Sequence, residues 1–129
     1  MPQSRMRNSI LVVDDNREFA DAMREMLTRL GYVAIACNSP RDALRLVSFG
    51  PGMFDAAIVD EIMPDMRGTE LAPELLRIND DMTLILVTGF GDLIPLEWVW
   101  AAGFSASLTK PVLKEELREV LTRLLGKAA

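Results

Sequence analysis

The chain has 129 residues, half of them hydrophobic and 26% charged, and a net charge of −5. That length holds one domain able to bury a core without disulfides or a structural metal, and the acidic balance excludes a general nucleic-acid binder, whose footprint would be basic. Cys37 is the single cysteine and histidine is absent, which excludes a disulfide scaffold, His-based triads, histidine metal sites and a phosphohistidine carrier.

Residues 1–7 are polar and basic, and the apolar stretch behind them stops at Asp14, too short for a signal peptide or a membrane span. The expectation is a cytoplasmic protein with no membrane contact, in which Cys37 is core packing in a reducing compartment. Strand-like runs alternate with helix-like stretches from there on, the pattern of an α/β protein with a parallel sheet.

Ser9–Val13 is nearly continuous in apolar character, as in a strand covered by helices on both faces. Phe19, Ala20, Met23, Met26, Leu27 and Leu30 then recur at helical spacing, and Gly31 is set to end that helix. Val33–Cys37 is the second strand. Ser39, Pro40 and Asp42 open the next helix with a capping hydroxyl, a first-turn proline and an acid at the positive end of the dipole.

Ala56–Asp60 is the third strand. After the loop 64–68 a third helix carries Leu71, Leu75, Leu76 and Ile78, with Pro73 expected near its first turn. Residues 83–87 form strand four, followed by the loop 88–92 and a fourth helix whose start Pro95 marks. In that helix Leu96, Val99, Trp100 and Gly103 share a face, leaving Trp98 as an exposed candidate for a partner contact. Ala106–Thr109 is a short fifth strand, and Leu113, Leu117, Val120, Leu121 and Leu124 make the last helix amphipathic. The eight methionines read as core fillers, with Met63 set apart because it belongs to the loop after Asp60, and Glu115, Glu116, Glu119, Arg118 and Arg123 read as solvated helix charges.

The chemistry sits at the strand ends. The first strand runs into Asp14-Asp15, the third ends on Asp60, the fourth runs into Thr88 and the fifth into Lys110-Pro111. In one parallel sheet those ends share an edge, where open α/β sheets hold ligands. Ordinary carboxylates titrate near ~3.9, so three gathered together are costly at neutral pH unless a cation joins them. An all-oxygen donor set selects a hard ion, and Mg²⁺ is the expected cofactor. A carboxylate can also attack phosphorus to give an acyl phosphate, a reaction served by a metal, a fixed cation and a hydroxyl donor.

The acidic pair after strand one, Asp60 followed by Met63-Pro64 and Gly68, Thr88-Gly89, and Lys110-Pro111 together resemble a response-regulator receiver domain of two-component signalling. Each motif is weak alone, and all of them in order at this spacing are specific. The resemblance implies the flavodoxin-like (βα)5 fold with a five-stranded parallel sheet in the order 2-1-3-4-5 and helices on both faces, with the receiver over 9–125, an N-terminal extension 1–8 and a tail 126–129. It implies Asp60 as the phospho-acceptor, with Asp14 and Asp15 as Mg²⁺ ligands, Asp14 largely through water, and the Ile62 carbonyl completing the protein's metal shell. Lys110 would pair with a phosphoryl oxygen and Thr88 would move toward it. The Lys110-Pro111 bond is expected to be cis.

The chain departs from the family at three positions. Ser107 stands where receivers commonly carry the Tyr or Phe that swings inward with the threonine; Phe104 and Trp100 are the nearby rings. Ile62 and Phe90 replace polar groups that orient an attacking water, which predicts slow self-dephosphorylation.

The function implied is a receiver, not a classical enzyme, phosphorylated on Asp60 by a histidine kinase or histidine phosphotransfer protein. Its output is a protein partner bound through the helix 4, strand 5 and helix 5 face, without direct nucleic-acid contact, and a homodimer is an open alternative. A chain ending just after the fifth helix leaves no room for a DNA-binding module, so the expectation is a stand-alone receiver or one excised from a hybrid sensor kinase. The alternative enzyme class, a Mg²⁺-dependent phosphohydrolase with an aspartyl-phosphate intermediate, lacks its usual second carboxylate, since Ile62 lies two residues after Asp60. A flavin carrier lacks the phosphate loop, replaced here by Asp14-Asp15-Asn16.

Overall fold

The computed structural model describes residues 9–89 and 92–126. Five strands, β1 (Ser9–Val13), β2 (Val33–Cys37), β3 (Ala56–Asp60), β4 (Thr83–Thr88) and β5 (Ala106–Thr109), alternate with five helices, α1 (Arg17–Arg29), α2 (Pro40–Phe49), α3 (Gly68–Ile78), α4 (Leu96–Ala102) and α5 (Lys114–Leu125). All strand pairings are parallel and the sheet order is β2-β1-β3-β4-β5. The expected flavodoxin-like architecture is the one observed.

Because successive side chains on a strand point to opposite faces, the apolar runs feed two cores. Ile10, Val12, Ile58, Ile85, Val87 and Leu108 pack with Ala20, Met23 and Leu27 of α1 and Leu117 and Leu121 of α5. Leu11, Val13, Val59, Leu84 and Leu86 pack with Val47 of α2, Leu71 and Leu75 of α3 and Val99 of α4. Every residue of β3 is buried, as a central strand with both faces covered requires.

Local chemistry sets the helix boundaries. The Asn16 side chain accepts a hydrogen bond from the Phe19 N–H at the start of α1, and Ser39 Oγ accepts from the Asp42 N–H at the start of α2. Gly31, just past α1, has φ +100°, a conformation that costs glycine little. Gly68 is demanded by a close approach: a Cβ there would lie 2.5 Å from the Asp60 carbonyl oxygen.

Three expectations are corrected. Pro73 is the sixth residue of α3, inside the helix and beyond its first turn, so the bond its N–H would have made to the Thr69 carbonyl is missing. In α4 the buried stripe is Val99, 2% exposed, with Ala102 packed beside it, while Leu96 and Trp100 are 57% and 48% exposed. A helix of seven residues rests on the sheet through one anchoring side chain, so both Trp98 and Trp100 flank it and face solvent. Leu113 is the cap residue before α5 and is exposed, and Leu125 joins the buried face. Met23 and Met82 are buried as expected of core fillers, Met63 in the loop after Asp60 is buried as well, and Met53, against expectation, is exposed.

Gly68→Ala should lower stability by roughly 1–3 kcal/mol, while Gly52→Ala, where a Cβ meets nothing within 4 Å, should stay within about 0.5 kcal/mol of wild type. Urea denaturation checks this; equal midpoints for the two variants would contradict the close approach.

Candidate functional site

The sheet ladder continues one residue past three of its strands, and the residues at those strand ends carry the site. The Asp14 N–H donates to the Cys37 carbonyl (3.1 Å), the Glu61 N–H to the Val87 carbonyl (3.0 Å) and the Lys110 N–H to the Thr88 carbonyl (2.8 Å). Asp14 follows Val12, Asp60 follows Ile58 and Lys110 follows Leu108 in the two-residue alternation. All three therefore belong to the face covered by α1 and α5.

One carboxylate oxygen from each of Asp14, Asp15 and Asp60 lies within 4.8 Å of the others. Asp14 and Asp60 are buried and Asp15 is exposed. Lys110 Nζ sits 3.0 Å from Asp14 Oδ2 and 3.4 Å from Asp60 Oδ1. Asp14 is held from two sides: its Oδ1 accepts the Asn16 N–H (2.9 Å), and the Asn38 side-chain amide donates to its carbonyl (3.0 Å).

Burial is the largest influence on Asp60; with the neighbouring Asp14 charge it outweighs Lys110 and pushes the carboxyl up to about 6. For Lys110, burial pulls the ammonium down, but bonding and attraction to Asp14 and Asp60 prevail and hold it above the usual lysine value. Burial also pushes the Cys37 thiol up to about 12, in keeping with an inert core cysteine.

Three carboxylates around a single ammonium leave two negative charges uncompensated. The all-oxygen donor set and that excess fit a small divalent ion such as Mg²⁺. Thr88 ends β4 at the same edge, but its hydroxyl makes a long 3.5 Å contact to the Leu108 carbonyl and not to the carboxylates. Ile62 opens the loop after β3 with its side chain 49% exposed. Phe90 lies outside the described residues, as do residues 1–8 and 127–129. Ser107 faces solvent on β5 and Phe104 is buried among α2, α3 and α4, so Phe104 is core. The Lys110-Pro111 bond is cis.

Three contributors escaped the sequence reading. The Phe19 ring lies 4.2 Å from Lys110 Nζ, a cation–π contact on a residue read only as core. Asn38, the residue after β2, anchors Asp14. Glu61 is 2% exposed although charged. Its signal was an acid placed directly after a fully buried strand.

With this geometry, comparison with known proteins is consistent throughout. A family model described as the response regulator receiver domain matches residues 10–122, and the chain belongs to that family. It is 32% identical over 118 residues to the DNA-binding transcriptional regulator NtrC of Azospirillum brasilense, covering 92% of this chain and 24% of the relative. It is 41% identical over 103 residues to a response regulator receiver protein of Anaeromyxobacter, covering 79% of this chain and 42% of the relative. The chain thus spans less than half the length of either. Among solved structures, a CheY-like receiver domain protein from Methanospirillum hungatei matches with TM-score 0.83 and 30% identity, covering 92% of this chain and 93% of the other. A receiver protein from Burkholderia phymatum matches with TM-score 0.83 and 29% identity, covering 95% and 98%.

An acid whose folded value is raised keeps a proton that the unfolded chain has lost, so its contribution to stability is full below the unfolded value and falls as pH rises toward 6. Asp60→Asn should therefore raise the melting temperature of the metal-free protein at pH 7.5, by roughly 3–6 °C, with the gain shrinking toward pH 4. Thermal melts across that range check it; a variant less stable than wild type at pH 7.5 would contradict it.

Proposed function

We propose that this chain is a phospho-accepting switch in which Asp60 takes a phosphoryl group from the phosphohistidine of a histidine kinase or histidine phosphotransfer protein, in a Mg²⁺-dependent reaction. The observation that carries this reading is the convergence of Asp14, Asp15 and Asp60 with the Lys110 ammonium at one sheet edge. An Asp60 oxygen forms the new O–P bond while the donor's N–P bond breaks and its imidazole leaves with the electron pair. The donor histidine lies outside these 129 residues, which contain none.

Asp14, Asp15, Asp60 and the Ile62 carbonyl would hold Mg²⁺, which when bound supplies charge neutralisation for the phosphoryl oxygens. Lys110, pinned between Asp14 and Asp60 and backed by Phe19, would pair with a phosphoryl oxygen. The Thr88 hydroxyl would exchange its long contact to Leu108 for the phosphoryl group. Thr88 is paired with β5 in the sheet, so its movement would carry the change toward the α4, β5 and α5 face even though Ser107 has no ring to swing.

Receiver domains work with histidine kinases and output domains, and here the exposed Trp98 and Trp100 give α4 apolar surface for a protein partner. We read the receiver unit as 9–125 and the setting as cytoplasmic; among the described residues no helix is long and apolar enough to cross a membrane. The half-exposed Ile62 side chain has no polar group to hold an attacking water, so the phosphorylated form should be long-lived.

Incubation with acetyl phosphate and Mg²⁺, followed by intact mass measurement, should add one phosphoryl group to wild type and none to Asp60→Asn. Retained labelling in the variant would overturn the assignment. Ile62→Asn should shorten the lifetime of the labelled form severalfold in a decay time course; an unchanged lifetime would refute the water-exclusion account.

A further inference from the structure

We infer that Glu61 is a positioning residue that sets the Mg²⁺ affinity of the site from behind it, an inference that rests on the metal-dependent reading above. Its carboxylate is 2% exposed, and burying an ionised acid is costly unless its oxygens are bonded. Here they are. Oε1 accepts the Thr69 N–H at 2.8 Å and Oε2 accepts the Thr69 hydroxyl at 3.0 Å, with the Arg67 guanidinium 3.7 Å from Oε2. The backbone is engaged as well: the Glu61 N–H donates to the Val87 carbonyl and its own carbonyl accepts the Gly68 N–H, both at 3.0 Å.

These bonds close a loop. Thr69 is the second residue of α3, and no side chain at the helix cap position serves that turn, so Glu61 serves it from eight residues upstream. Residues 62–67 are thereby tied at both ends, and Met63, 6% exposed, roots them in the core. At the base of the loop, the Asp60 carbonyl lies where a Cβ on Gly68 would come within 2.5 Å of it. The backbone carrying Asp60 is thus wedged between β4 on one side and the start of α3 on the other.

Glu61 follows Val59 in the strand alternation, so its side chain belongs to the α3 face while that of Asp60 belongs to the α1 and α5 face. Among the described residues, the carboxylates close enough to share an ion are Asp14, Asp15 and Asp60, without Glu61. Its contribution is therefore geometric: it holds Asp60 and Ile62 in place without ligating. Residues that orient metal ligands change affinity by about 10–100-fold when removed.

The test is Mg²⁺ titration by calorimetry on wild type, Glu61→Ala, Glu61→Gln, Thr69→Val and the Glu61→Ala/Thr69→Val double variant, with a thermal melt of each. Glu61→Ala should bind Mg²⁺ about tenfold more weakly. Glu61→Gln, which keeps an acceptor for the Thr69 N–H, should stay within about threefold. The double variant should be no worse than Glu61→Ala, because both changes break one linkage. A Glu61→Ala protein that melts lower but binds Mg²⁺ like wild type would overturn the proposal and leave Glu61 a structural residue. Glu61→Gln as weak as Glu61→Ala would replace geometry by charge and also overturn it. Should Glu61→Ala fail to fold, Glu61→Gln and Thr69→Val carry the same comparison. Wild type taking up no Mg²⁺ would instead defeat the underlying reading of the site, and this inference with it.

Discussion

Electrostatic repulsion among three aspartates at one sheet edge is the constraint around which this molecule is arranged. Asp14 and Asp60 are buried and share one ammonium. That ammonium does not neutralise them, and burial, with the Asp14 charge behind it, pushes the Asp60 carboxyl up to about 6. A fold would not hold such a cluster for its own stability, since burying like charges together opposes folding. The excess charge suits a small divalent cation.

The sheet makes the cluster hard to relax. Because the strands are parallel, their carboxyl ends meet at one edge, and because the alternation is strict, residues 14, 60 and 110 share the α1 and α5 face. Backbone bonds extend the ladder past the strands into Asp14, Glu61 and Lys110, so the backbone that carries Asp14, Asp60 and Lys110 is fixed by sheet pairing. The β3–α3 loop adds a second restraint through Glu61, Gly68 and Thr69. Charge held in this way is preorganised.

The strand positions were legible because continuous apolar runs bounded by acids and turns leave few alternatives; Ala56–Asp60 and Val33–Cys37 are observed as expected. The start of α2 was legible from Ser39 and Pro40, whose roles are local. So was the convergence of Asp14, Asp15, Asp60 and Lys110, which follows from parallel pairing alone. Contacts between elements distant in sequence were not legible. Periodicity placed Leu96 and Trp100 with Val99, but how a short helix sits on the sheet depends on its neighbours, and only Val99 is anchored. Phe19 beneath Lys110 joins residues 91 positions apart, and Glu61 bonded to Thr69 spans a loop that the sequence does not show closing. Thr88 was expected at this edge with a hydroxyl that moves toward a phosphoryl group; it ends β4 there, and the contact of its hydroxyl to the Leu108 carbonyl is one that no local pattern announces.

The acidic cluster, read as a divalent-ion site, predicts that an ion displaces whatever proton the raised Asp60 carboxyl holds. Calorimetry of Mg²⁺ binding at pH 6 in buffers of differing ionisation enthalpy measures the protons released per ion bound. With the Asp60 carboxyl pushed up to about 6, binding should release more protons at pH 6 than at pH 8. Mg²⁺ uptake with no proton release at pH 6, or no uptake at either pH, would contradict the account.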